Sequence, residues 1–342
     1  MRRPVAHLAF LKEPELTNNP AVLLRAQGPA QQALHEKARL ARETHFGNRV
    51  FVRGVVEVSN FCRENCAYCG MRRDNRNLRR YRLSVEPLLE LLIEHRPASM
   101  TDLNIQTGED PIALRDVALP LVRELRRSTS LGLSVCLGTH SEADTHALRE
   151  AGADYYVIKI ETGDETHYRQ MESPGTLPER LDTIRRLATD GWHVSSGMIA
   201  GLPGQTDRHI LDTLELLNAL PLAGCSVSPF IPGEQTPFAG EPAGSLDLAL
   251  NCLALMRLGS PARIIPAVSA MTLSGADGYA RAIRGGANLA TINLTPDEER
   301  RDYLLYTRDR QIMTEQRILR EIEAEGCEPS PVGISSWLNS RK

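Results

Sequence analysis

The chain predicts an α/β fold of eight strand–helix units, and three observations carry that prediction. Short β-branched or apolar runs alternate with longer helix-periodic stretches along most of the 342 residues. Such alternation implies parallel strands joined by crossover helices. The strand candidates number eight within ~250 residues, which suits a closed (β/α)8 barrel of the TIM type better than an open doubly wound sheet. The expected organisation is an N-terminal helical extension over residues 1–48, the barrel over 49–326 and a C-terminal tail over 327–342.

Each element has a local reason. Pro20 to His45 is rich in Ala, Leu, Gln, Glu, Lys and Arg and reads as helical apart from a break at Gly28-Pro29. Gly47-Asn48 gives a turn before the first strand, FVRGVVEV, and the remaining strand candidates are DLNIQT, GLSVCLG, DYYVIKI, HVSSGMIAG, GCSVSPFI, RIIPAVSA and LATINL. Helical patterns follow them, among them SVEPLLELLIEH, IALRDVALPLVRELRR, EADTHALREAG, LPERLDTIRRLATDG and RHILDTLELLNAL. A closing helix is expected from about Asp309 to Gly326, and the tail GCEPSPVGISSWLNSRK carries too much Pro, Gly and Ser to extend it.

Composition narrows the function. A formal net charge of −3 disfavours nucleic acid or anionic lipid as a bulk electrostatic partner. The N-terminal MRRPVAHLAFLKEPEL is broken by His7 and lacks a signal-peptide cleavage pattern, and no run approaches the ~18 apolar residues of a membrane helix, so a cytoplasmic protein is expected. Seven cysteines, odd in number and unevenly spaced, do not suggest a disulfide framework. Cys136, Cys225, Cys252 and Cys327 read as small buried apolar residues, and His140, His146 and His167 as surface or capping residues.

Three cysteines stand apart. SNFCRENCAYCG places Cys62, Cys66 and Cys69 at C-x3-C-x2-C on the loop that should follow the first strand. A structural zinc wants four ligands, and no histidine lies between His45 and His95 to supply the fourth locally. A 4Fe-4S cluster takes four thiolates, so three leave one iron open to a substrate or cofactor. Structural zinc and coincidental core cysteines are the alternatives.

With Tyr68 before the third cysteine, this motif resembles the signature of the radical S-adenosylmethionine (SAM) superfamily. That resemblance implies one 4Fe-4S cluster whose open iron binds the amino and carboxylate groups of SAM. It also implies reductive cleavage of SAM to methionine and a 5'-deoxyadenosyl radical that abstracts hydrogen from a substrate. Further motifs match by position. Gly108 and Glu109 in QTGEDP resemble the family's glycine-glycine-glutamate motif, the Glu accepting hydrogen bonds from the methionine amino group. Glu161 in VIKIETGDE is implied at the ribose or amino end, and Arg180 in LPERLDTIRR at the carboxylate, a ligand that an Arg fork suits. Gly197, Ile199 and Gly201 match the G-x-I-x-G pattern beneath the adenine.

The resemblance spans about Phe46 to Gly326 and points to the group containing the FeFe-hydrogenase maturase HydE, methylornithine synthase and biotin synthase. It rests on stretches such as SNFCRENCAYCGMRRDNRNLRRYRLS, PFIPGEQTP, IIPAVSAM and GGANLATINLTP. Where HydE-type proteins resemble L-R-H-E-T, this chain has Ile158, Lys159, Ile160, Glu161 and Thr162, which leaves the substrate open. Cys136 matches one ligand position of biotin synthase's second cluster, but Ser195 stands at another, and Cys327 is single where some relatives carry a further cysteine group. The expected substrate is a small, amino-acid-derived molecule inside the barrel, with Lys159, Ser195, Ser269 and Met271 as candidate contacts and a low-potential donor such as ferredoxin or flavodoxin as partner. Two other readings stay open. The basic run from Arg72 to Arg82 could contact RNA, as in an RNA-modifying enzyme, or form a solvated loop. A non-enzymatic iron-sulfur carrier would use the same cysteines.

Overall fold

The computed structural model describes residues 19–308 and 311–341, so the expectations for residues 1–18 lie outside the described residues. Seven parallel strands form its centre: β1 Arg49–Ser59, β2 Asp102–Thr107, β3 Gly132–Cys136, β4 Tyr155–Val157, β5 His193–Ala200, β6 Gly224–Pro229 and β7 Leu289–Asn293. They lie in the order β6-β5-β4-β3-β2-β1-β7, so the sheet curls with β1 between β2 and β7. Helices occupy the connections, and the apolar residues between strands and helices form the main core.

The eighth barrel position is filled without a ladder strand. RIIPAVSA forms only two isolated parallel bridges, Ile264 to Gly224 of β6 and Pro266 to Leu289 of β7. The Cys225 N–H donates to the Ile264 carbonyl at 3.0 Å, and Ala267 N–H to the Leu289 carbonyl at 2.9 Å, so the segment joins the two edges of the curled sheet. Pro266 has no N–H to donate, which is why the pairing does not extend.

Other boundaries shift for comparable reasons. The N-terminal helical stretch divides at residues 25–27, with helices Pro20–Leu24 and Gly28–Phe46 on either side, and Gly28-Pro29 begins the second helix rather than separating the two. The helix after β2 contains a π-turn over Leu114–Ala118, next to Pro120, which cannot continue the i→i−4 ladder. The closing helix spans only Glu315–Ala324 and starts at a Thr314 cap.

The C-terminal segment is folded, not a loose tail. A two-residue strand, β8 Glu328–Pro329, pairs with the start of β1, and helix Ile334–Asn339 follows. Trp337 stacks on Phe46 with ring centroids 4.4 Å apart and meets Phe51 edge-on. The Ile334 N–H donates to the buried Asp102 carboxylate at 3.0 Å, so this segment covers the N-terminal mouth of the barrel. No helix among the described residues is long and apolar enough to cross a membrane.

Candidate active site

The three cysteines lie on the loop after β1, at the C-terminal end of the strands where barrel chemistry gathers. This loop is held by the basic run. Arg80 donates to the carbonyls of Asn60, Met71, Arg72 and Asn75. Arg72 pairs with Glu172, Arg79 with Asp302, and Arg82 with Asp110 while lying over the Phe61 ring. Four of the six arginines thus pin the loop to itself and to its neighbours, and the run is not the solvated loop that its composition suggested.

Burial raises the pKa of all three thiols: Cys66 well above its usual range, Cys69 to about 12, and Cys62 in the same direction. Neighbouring thiols add to the rise, Cys69 and Cys62 on Cys66 and Cys62 on Cys69, while Glu109 and Glu64 add to that of Cys62. Among the described residues no three His, Cys, Asp or Glu side chains converge on one ion-sized point. A polynuclear cluster needs no such point, since each thiolate binds a different iron. Buried, mutually repelling thiols suit a cationic iron centre that takes them as thiolates.

The end of β2 meets this loop at Gly108. A Cβ there would lie 2.3 Å from the Phe61 carbonyl oxygen and 2.7 Å from the Cys62 Cβ, so only glycine permits the approach. It brings the Glu109 N–H to the Cys62 Sγ at 3.3 Å, a bond that favours the thiolate. The Glu109 side chain turns inward over Gly138, where φ is +86° and a Cβ would lie 2.0 Å from the Glu109 Cγ.

There Glu109 meets Arg180. The Arg180 Nη1 lies 2.8 Å from Glu109 Oε1, both side chains are under a tenth exposed, and Arg180 also donates to Thr139 Oγ1 and the Lys159 carbonyl. Helix Leu177–Thr189 aims the arginine, its start fixed by a capping box between Thr176 and Glu179. Arg63 approaches Glu109 Oε2 from outside at 3.4 Å.

Glu161 follows β4 with φ +61°, a left-handed conformation uncommon outside glycine, held by a bridge to Met198 of β5. Lys159 Nζ lies 2.8 Å from Glu161 Oε2, and the oxygen has no aligned hydrogen bond. Strained backbone and an under-satisfied buried oxygen together point to a ligand-facing position. Nearby, Tyr68 and Ile199 pack with Met171, Leu202, Phe230 and Phe238 into an apolar wall, and Gln205 closes the β5 turn through Gly201 N–H and the Ile199 carbonyl.

Inside the barrel lies a cavity of about 240 Å³. TIM-type barrels fill this space with layers of branched apolar side chains. Here the inward positions are largely polar: Arg53 and Glu57 on β1, Asn104 and Gln106 on β2, Cys136 on β3, Ser195 on β5, Ser226 and Ser228 on β6, and Thr291 and Asn293 on β7. Lys159 and Ser269 line it as well, Ser269 beside the Tyr306 hydroxyl at 3.1 Å. Met271 does not; it is fully buried in the apolar core. Cys136 lines the cavity and is partly buried, unlike the buried Cys225, Cys252 and Cys327. His140 and His167 are buried too, His140 on the Leu137 carbonyl and His167 between Thr162 and the Pro203 carbonyl, so neither is a surface residue.

Sequence reading missed Arg53, Glu57 and the serine wall of β6. The signal was the alternation of β1, where Arg53, Val55 and Glu57 share one face within a strand that is otherwise apolar.

Comparison with known proteins agrees with this geometry. A family model described as "Radical SAM superfamily" matches residues 56–217. The chain is 34% identical over 275 residues to the [FeFe] hydrogenase maturase subunit HydE of Thermotoga maritima, covering 80% of this chain and 79% of that protein. It is 28% identical over 303 residues to the 3-methylornithine synthase of Methanosarcina barkeri, covering 87% and 85%. The crystal structure of methylornithine synthase (PylB) superposes with a TM-score of 0.83 at 27% identity, covering 95% of this chain and 96% of that one. Motif, fold and relatives agree: the chain belongs to the radical SAM superfamily and is a radical SAM enzyme of the HydE, methylornithine synthase and biotin synthase type.

Proposed function

We propose that residues 49–326 work as a single radical SAM barrel that acts on a small, amino-acid-derived molecule held inside it. Cys62, Cys66 and Cys69 would hold one 4Fe-4S cluster. Such a cluster would supply the low-potential electron for reductive cleavage of SAM, and with it the 5'-deoxyadenosyl chemistry that abstracts hydrogen from a substrate. The chain's own part is binding and positioning. Glu109 and Arg180, a buried anion beside a buried cation, match the ammonium and carboxylate of the methionine end. Gly108 lets Glu109 reach that place, and Glu161, held beside Lys159, would present its carboxylate to the amino group or ribose. Tyr68 and Ile199 belong to the apolar wall against which the adenine would lie.

The observation that carries this reading is the Glu109 link, whose backbone N–H bonds the Cys62 sulfur while its carboxylate bonds Arg180. One residue thereby ties the cluster loop to the amino-acid site. A cavity of about 240 Å³ inside the barrel, with polar groups set among apolar walls, supports a small substrate over a polymer. The internal bonds of the basic run leave little of it to grip RNA. A low-potential donor such as ferredoxin or flavodoxin and a reducing cytoplasm complete the proposal, in keeping with seven free thiols. Anaerobically reconstituted protein given dithionite and SAM should release 5'-deoxyadenosine, and the Cys62→Ala/Cys66→Ala/Cys69→Ala variant should lose both cluster iron and cleavage. A cluster-bearing wild type that releases none would support an iron-sulfur carrier instead.

A further inference from the structure

The left-handed backbone of Glu161 persists only if its surroundings hold it there. On the strand side the Ile199 N–H of β5 donates to the Glu161 carbonyl at 3.0 Å. On the other side the chain turns back at once, the Thr162 N–H donating to the Ile160 carbonyl at 2.8 Å. Thr162 is fully buried, and its hydroxyl lies 2.9 Å from the Nδ1 of His167, a side chain that the SAM site as described does not use. The Gly163 N–H then donates to Thr213 Oγ1 on the helix Asp207–Ala219.

His167 is 1% exposed and does not line the barrel cavity. It stands on the short helix Glu165–Gln170, whose Asp164 cap accepts from the His167 N–H at 2.7 Å, and its ring stacks on His209 with centroids 5.1 Å apart. Its Nε2 lies 3.0 Å from the Pro203 carbonyl in the turn after β5. A carbonyl only accepts, so Nε2 carries the hydrogen, and in the neutral ring Nδ1 is left to accept from the Thr162 hydroxyl. Burial favours that neutral form by lowering the imidazole pKa. The same helix runs on into the cysteine loop, where the Ala67 N–H donates to the Met171 carbonyl at 2.9 Å and Glu172 pairs with Arg72. One imidazole thus bonds the turn that carries Glu161 and the turn that follows Ile199 and Gly201, from a helix that also holds the loop of Cys66 and Tyr68.

We propose that His167 is a positioning residue for SAM binding, which acts through the Thr162 hydroxyl to fix the left-handed turn that aims the Glu161 carboxylate. The inference rests on the reading of Glu161 as a SAM contact. His167 touches neither SAM nor substrate in this arrangement, and its effect passes through Thr162 and the Glu161 backbone. Lys159 cannot take over the task. It bonds the same carboxylate but lies two residues away on the same segment, so a shift of the turn carries both side chains with it. Packing alone does not account for an imidazole here, because an apolar residue would fill the space, whereas both ring nitrogens are spent on the two turns.

The test measures SAM affinity by equilibrium dialysis against the cluster-reconstituted full chain under anaerobic conditions, with cluster iron matched between variants. His167→Leu and Thr162→Val should each weaken SAM binding about tenfold, the scale of one lost hydrogen bond. His167→Asn should recover most of that loss, because its Oδ1 falls where Nδ1 lies and can accept from the hydroxyl. In a Glu161→Ala background, adding His167→Leu should change affinity by less than about twofold, since no carboxylate is left to aim. A general structural role predicts the opposite, the full tenfold loss in either background, and that result would overturn the proposal. So would an Asn variant no better than Leu. Should His167→Leu fail to fold, Thr162→Val decides, as it keeps the side-chain shape and removes only the linking hydroxyl: wild-type affinity there refutes the link, and a tenfold loss that vanishes in the Glu161→Ala background supports it. Unchanged affinity in Glu161→Ala itself would strike the reading of Glu161 as a SAM contact, and the proposal with it. A weakened Glu161→Ala beside unaffected His167→Leu and Thr162→Val would remove the positioning role alone.

Discussion

Separating Glu109 from Arg180 tests the amino-acid site most directly. The two side chains are 6% and 8% exposed and meet at 2.8 Å. Removing one partner of a buried pair costs about 3–5 kcal/mol, because the other charge stays behind unpaired. The lower end applies here, since Glu109 would keep Arg63 at 3.4 Å and Arg180 would keep Thr139 and the Lys159 carbonyl. In the complex, each of Glu109→Gln and Arg180→Met would leave one charged group of the methionine end buried without its partner, so SAM affinity should fall by about 3 kcal/mol, roughly two decades. Because both residues would hold the same zwitterion, the double variant should fall well short of four decades. Equilibrium dialysis of SAM against reconstituted protein reads the affinity, and the visible absorbance of the cluster should stay unchanged. SAM affinity within threefold of wild type in both single variants would remove the pair from the site.

Three further outcomes follow from the geometry. Gly108→Ala would press a methyl group onto the Phe61 carbonyl and the Cys62 Cβ, so iron and sulfide content after reconstitution should drop sharply; full cluster loading would show that the loop yields instead. Arg80→Leu removes the side chain that bonds four loop carbonyls and should make the cluster more labile to chelators without changing the fold by circular dichroism; unchanged chelation kinetics would contradict that role. Burial raises the Asp102 carboxyl from 3.8 to about 6, so the folded state holds its proton more tightly than the unfolded chain does. Stability from this group is thus full below pH 4 and falls as pH rises toward 6, by about 3 kcal/mol at 1.36 per pH unit. Asp102→Asn should gain on the wild type between pH 4 and pH 6 in denaturant unfolding, and a gap that does not change with pH would refute the assignment.

The sequence by itself determined the alternation of strands and helices, the cysteine loop and the motif residues after each strand. These are local properties: period-two and period-3.6 patterning, turn residues, and ligand spacing within eight positions. The seventh strand candidate shows where local reading stops, because RIIPAVSA has strand composition while its Pro266 allows only isolated bridges. The partners of side chains were decided by tertiary structure. Arg180 has no acid along its own helix and finds Glu109 71 residues away in sequence, and Lys159 is taken by Glu161 only because the chain turns into the left-handed region after β4. The basic run reads as solvated until the loop closes and brings carbonyls and acids to it. Whether the barrel interior is packed or hollow also depends on side chains from seven strands meeting at one axis, so the polar groups that line the cavity come together only in the assembled barrel.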